Sequence, residues 1–169
     1  MPNDDSLRAL RKSADLSRTC MDLQFDLIRE DEADALVAMV RAHHAADDNP
    51  HSPYFETAIV EIAKGEPMAQ AWMVRHANRV IGYVVLTLGY SIEYGGRDGF
   101  IDDLYLVPDA RGRGWGRMIV DFALAEAARL GIRVLHLEVE ANNDRARSLY
   151  RLAGFEETGR RLMRRRLQP

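Results

Sequence analysis

Three glycines spaced two apart, Gly112, Gly114 and Gly116, stand between a β-rich run and an amphipathic one. Upstream, Phe100 to Val107 carries Ile101, Leu104, Leu106 and Val107, and Pro108, which has no N–H to give a ladder, ends the strand. Downstream, Ile119, Phe122, Ala123, Ala127 and Leu130 share one face of a helix, and Gly131 suits its C-terminal cap. Strand, glycine-rich turn and helix in that order leave unpaired N–H groups and a positive dipole end at the turn, which is an anion-binding arrangement. No lysine follows the glycines, so a P-loop is excluded. The G-x-G-x-x-G fingerprint fails because its last position falls on Arg117 or Ile119. R-x-x-G-x-G remains, at Arg111, Gly114 and Gly116.

The flanking periodicities give an element order. Asp22 to Arg29 alternates as a strand, with Leu23, Phe25 and Leu27 on one side. Asp31 to His44 reads as a helix with acidic residues in its first turn and Leu36, Val37, Val40 and His44 on one face. Ala45 to Pro53 reads as a loop, and Tyr54 to Lys64 as a second helix stopped near Gly65. Ala69–Val74 and Val80–Leu88 are strands joined by a hairpin at His76–Arg79, and Gly95–Asp98 turns into the central strand. Arg133–Val139 is the next strand, a parallel partner across the helical crossover. Asn142 or Asn143 caps a helix whose inner face is Ala146, Leu149, Tyr150 and Ala153. Phe155–Thr158 and Leu162–Leu167 read as the last two strands. The order is β-α-α-β-β-β-α-β-α-β-β, an α/β chain with a mixed, mainly antiparallel sheet and helices on both faces. Residues 1–21 read as an N-terminal extension and 22–169 as the domain.

Composition narrows the function classes. A net charge of −3 gives no global reason to expect nucleic acid. The basic run Arg160–Arg166 reads instead as charge protecting an edge strand. The single cysteine, Cys20, rules out an intrachain disulfide and a thiolate cluster. No signal peptide is evident behind Asp4 and Asp5, and no apolar run approaches the ~20 residues a membrane helix needs. The expected location is the cytoplasm. His43, His44 and His51 lack a fixed ligand spacing, and neighbouring histidines on a helix diverge by about 100°, so no metal is expected. Asp47, Asp48, Glu56 and Glu93 could attract a cationic amine, or simply solvate the surface.

The Arg111–Gly116 loop resembles the pyrophosphate loop of the GNAT superfamily of N-acetyltransferases. A second stretch, Asn143 to Phe155, resembles that family's N-x-x-A-x-x-L-Y-x-x-x-G-F signature, with Ala146, Leu149, Tyr150 and Gly154 in place. The element order is also the GNAT order, from about Asp22 to Leu167. The resemblance implies direct transfer of an acetyl group from acetyl-CoA to a primary amine, either a small cationic, polyamine-like molecule or a protein amine. It implies that Arg111, Gly112, Arg113, Gly114, Trp115, Gly116 and Arg117 cradle the pyrophosphate through backbone N–H groups, so that the side chains of Arg113 and Trp115 matter little. Leu104, Tyr105, Leu106 and Val107 would line the pantetheine arm, and Asn143 would touch the cofactor or serve as a helix cap. Tyr150 would protonate the departing thiolate or lie against the cofactor, or else pack as a helix aromatic. Asp102 and Asp103 are the candidate proton acceptors, or else loop-bonding residues. Neighbours on a strand face opposite sides, so only one can look directly into a given cleft. In the polyamine branch of the family the residue matching Asp102 is usually Glu, and the shorter Asp would act through water. A non-catalytic acyl-CoA-binding or sensing module of the same fold is the alternative, and a homodimer is common in the family.

Overall fold

The computed structural model describes residues 23–45 and 52–167. The expected extension, residues 1–21, and the loop residues Asp47, Asp48 and His51 lie outside the described residues. In chain order the elements are β1 (Leu23–Leu27), α1 (Ala33–His44), α2 (Phe55–Ala63), β2 (Ala69–His76), β3 (Arg79–Ser91), β4 (Gly96–Leu106), α3 (Trp115–Arg129), β5 (Val134–Leu137) and α4 (Asp144–Leu152). Short 3-10 turns at Glu30–Glu32 and Pro108–Ala110 precede α1 and follow β4. The chain divides into two compact units, one ending at Glu138 and the other beginning at Val139.

The first unit is built on a five-stranded sheet in the order β1-β2-β3-β4-β5. Every pair is antiparallel except β4–β5, which is parallel. The β2–β3 hairpin turns on Ala77 and Asn78, both at positive φ (47° and 65°), the two-residue turn whose twist matches that of the strands. α1 and α2 cover one face. There Leu36, Val40 and Ile59 pack with Ala71, Met73, Tyr83, Val85 and Tyr105. α3 covers the other. Its Phe122 stacks on Phe25 at 4.0 Å between ring centroids and meets Trp72 edge-on at 5.4 Å. Trp72 and Met73 are adjacent on one strand and therefore serve opposite faces. Glu32 is buried, but Arg75 pairs with it and also reaches Asp26 at 3.0 Å, so the start of α1 is tied to β1 and β2 without an unpaired buried charge.

In the second unit, Asn143 caps α4 by accepting the Ala146 N–H at 3.1 Å, and Arg147 and Arg151 both reach Glu157. The two strands expected at Phe155–Thr158 and Leu162–Leu167 do not form: among the described residues no strand follows β5. Leu162 and Met163 are adjacent, so an extended chain would send them to opposite faces, and five arginines surround them. Among its described residues this unit has no strand to offer a ladder, and Leu162, Met163 and Leu167 stay exposed. The reading of Arg160–Arg166 as a protected edge strand falls with them.

Candidate functional site

β4 pairs with β5 from Asp98 opposite Val134 to Ile101 opposite Leu137, and there β5 ends. β4 runs on to Leu106 against β3 alone. A bulge marks the parting point. Leu86 faces Ile101 and Val85 faces Asp103, so Asp102 is the extra residue. Val85 and Leu86 point to opposite faces, and therefore so do Ile101 and Asp103. In a regular ladder these two would share a face. The bulge thus turns Asp103 toward α1, onto the face that holds Tyr83 and Tyr105. Further along, the Val107 N–H donates to the Ile81 carbonyl at 2.9 Å, which sets the backbone alternation. Asp103, Tyr105 and Val107 turn their backbone groups to β3, while Leu104 and Leu106 turn theirs to the open edge. The Leu106 carbonyl there accepts Arg111 Nε at 2.9 Å.

That open edge leads into the glycine turn. Gly112 and Gly114 both have φ 82°, the left-handed region, and Gly114 is the N-cap of α3 with no side-chain cap. A Cβ at Gly114 would meet nothing within 4 Å, so glycine is required there by backbone conformation alone, and the approach to the first turn is open. Arg117 pairs with Asp121 at 2.8 Å. Trp115 corrects one expectation. Its side chain is buried, lies 4.6 Å from the His76 ring and carries the Arg113 guanidinium at 5.1 Å. It anchors the turn that presents the N–H groups, so its identity matters. Its buried indole N–H has no hydrogen-bond partner among the described residues.

On the α1 face Asp103 gathers three side chains. Its Oδ1 lies 2.9 Å from His43 Nδ1. Its Oδ2 accepts from Tyr83 Oη at 2.7 Å and lies 3.2 Å from His44 Nε2. Burial alone would raise the Asp103 carboxyl. Hydrogen bonding and charge from His43, with the bonds from Tyr83 and His44, outweigh it and hold the carboxyl below its ordinary range. Burial, then the Asp103 charge, pushes the Tyr83 hydroxyl far above its ordinary range, so it stays a donor. The expected divergence of the two histidines does not keep them apart. Their rings are 4.4 Å apart, because one carboxylate spans the gap with an oxygen for each. The ligand atoms of His43, His44 and Asp103 lie within 4.8 Å of one another, donor types that divalent transition metals also use, though the hydrogen bonds above already engage them.

Asp102 is exposed at the bulge. Surrounding protein, then the charges of Asp103 and Glu138, raise its carboxyl above the ordinary range, while the water that reaches it limits that rise. Glu56 is engaged by Arg41. In the second unit Tyr150 is half-buried on α4 and meets Phe155 edge-on at 5.9 Å. His43, His44 and Tyr83 are the polar partners that sequence reasoning missed. The signal present was a pair of histidines closing an amphipathic helix and a pair of carboxylates on a strand, but their meeting depends on the bulge.

Comparison with known proteins matches residues 26–155 to the model of the Acetyltransferase (GNAT) family. Thialysine N-epsilon-acetyltransferase of Bos taurus is 31% identical over 114 residues, covering 66% of this chain and 62% of that protein. The match thus spans less than two thirds of that relative's length. Peptidyl-lysine N-acetyltransferase YjaB of Escherichia coli (strain K12) is 28% identical over 134 residues, covering 78% of this chain and 81% of that one. The crystal structure of integron cassette protein HFX_CASS3, from the mobile metagenome of Cole Harbour Salt Marsh, superposes with a TM-score of 0.72 at 30% identity, covering 86% of this chain and 91% of that chain.

Proposed function

The chain belongs to the GNAT acetyltransferase family, and from that premise we propose that it is an N-acetyltransferase moving the acetyl group of acetyl-CoA directly to a primary amine. The observation that carries this reading is the parting of β4 from β5 at Ile101 and Leu137, which opens a backbone edge running straight to the glycine turn and the start of α3. In the proposal the pantetheine arm lies along Leu104–Val107, hydrogen-bonding the edge-facing groups of Leu104 and Leu106. The pyrophosphate sits on the N–H groups of Arg111–Arg117, favoured by the helix dipole. Asn143, besides capping α4, contacts the cofactor arm.

The chemistry asks for three things. An alkylamine with a pKa of about 10 arrives protonated and must lose a proton before it can attack. In the proposal that proton goes to the cluster at the β4 bulge, where Asp102 acts through water and Asp103 through the histidines it holds. The oxyanion formed at the thioester carbonyl needs a fixed donor, which the edge N–H groups of β4 can supply. The leaving thiolate takes a proton from Tyr150. The acceptor class is a lysine-like or other cationic primary amine, in keeping with the names of the two relatives above.

Calorimetric titration with acetyl-CoA, CoA and NAD tests the premise. Micromolar binding of both CoA species and none of NAD supports it, and no binding of either CoA species refutes it. Among amines that turn over, Tyr150→Phe is expected to lower kcat by about 10²-fold or more with acetyl-CoA affinity retained. Binding without turnover of any amine would favour the sensing alternative.

A further inference from the structure

His43 sits in the last turn of α1, and its imidazole is fixed from several sides. Its Nδ1 lies 2.9 Å from Asp103 Oδ1 and 3.1 Å from Tyr83 Oη. Its ring lies 4.7 Å from that of Tyr105, tilted by 30°. Tyr83 commits its hydrogen to the other oxygen of Asp103. An ionised carboxylate can only accept, so the hydrogen between His43 and Asp103 resides on Nδ1. The lone pair of the neutral ring is then on Nε2, which no described residue hydrogen-bonds. The side chain keeps 29% of its surface exposed, enough for an incoming group to reach it. Asp103 and Tyr105 flank Leu104, whose backbone groups face the open edge, so the imidazole stands over the stretch of β4 where the acetyl-transfer reading puts the cofactor arm.

We propose that His43 is the catalytic proton acceptor for the amine, and that Asp103 is the positioning residue that sets its tautomer. This deepens the acetyl-transfer reading and rests on it. The ammonium gives one proton to His43 Nε2, leaving an imidazolium and a neutral amine. The amine's lone pair forms the N–C bond to the thioester carbonyl carbon while the carbonyl π pair moves to oxygen. That pair returns, the C–S bond breaks, and its electrons leave on sulfur. As the nitrogen gives up its second proton the sulfur takes one up, and the imidazolium releases its proton to water. The amide, CoA thiol and one proton account for every atom. The groups facing His43 are Tyr83 from β3, Asp103 and Tyr105 from β4, and His44 from its own helix; on α2, Glu56 is held by Arg41.

The test uses the whole chain with thialysine as acceptor. His43→Gln keeps an N–H donor for Asp103, and its melting temperature is checked against wild type. Its kcat is expected to fall about 10²–10³-fold at neutral pH with little change in KM. Its rate should then follow the fraction of free amine, climbing log-linearly with pH up to the amine pKa, a profile different from that of the wild type. Long-range proton–nitrogen NMR of labelled histidine reads the tautomer whether or not thialysine is the right acceptor. His43 should be Nδ1–H in wild type and a mixture in Asp103→Asn. An Nε2–H tautomer, an unchanged pH profile in His43→Gln, or the free-amine profile appearing in His44→Gln instead would overturn the assignment while acetyl-CoA binding stands. Loss of activity on chelation with recovery on adding zinc would also overturn it. Absence of acetyl-CoA binding by the wild type would overturn the acetyl-transfer reading itself, and this proposal with it.

Discussion

Tyr83→Phe removes one hydroxyl from the centre of the first unit and leaves the ring in place. The lost bond is the 2.7 Å donation to Asp103 Oδ2. Tyr83 is fully buried, so the donor end of that bond has no access to water. A hydrogen bond to a charged group is worth about 1.5–3 kcal/mol. The Asp103 side chain keeps 15% exposure and its two histidine contacts, so water and His44 recover part of the loss. The expected cost is about 2 kcal/mol, which for a chain of this size lowers Tm by roughly 4–8 °C. The pH dependence has a definite sign. The folded pKa of Asp103 is depressed, so its stabilising contribution is present above the unfolded pKa of about 3.9 and is lost as pH falls through the folded value. The gap between wild type and variant should therefore be widest near neutral pH and narrow below about pH 4. Thermal and urea unfolding across that range measure it. A gap below about 0.5 kcal/mol at neutral pH, or one that does not move with pH, would refute the reasoning.

Ala77→Gly should stabilise the protein by about 0.5–1 kcal/mol in urea unfolding, because a non-glycine residue at φ 47° is strained. Gly82→Ala would set a Cβ 2.2 Å from the Tyr105 carbonyl oxygen, so β3 and β4 must separate; unfolding experiments should show a cost of about 3 kcal/mol. Gly114→Ala has room for its methyl but not the left-handed backbone, so calorimetry should show weakened acetyl-CoA binding. Asp102 has a raised folded pKa, so its charged form opposes folding above that pKa. Asp102→Asn should give a small gain in Tm at neutral pH that disappears below about pH 4.

The glycine spacing, the hairpin at His76–Arg79 and the helical faces of α1 and α3 were legible in the chain, because each is a local choice: a left-handed backbone, a two-residue turn, a 3.6-residue period. The cap at Asn143 was legible for the same reason. The terminal strands were not, since a strand needs a partner to exist and β-propensity alone cannot supply the ladder. The bulge at Asp102 was likewise invisible, because it arises from the register between β3 and β4. That single extra residue decides which face Asp103 occupies, and so whether His43, His44 and Tyr83 find it at all. By itself the sequence determined where the glycine turn and the helix start of the proposed anion site stand, since those depend on backbone conformation close in sequence. Only the tertiary structure decided which carboxylate meets which histidine, because residues up to about sixty positions apart come together only through strand register and helix packing.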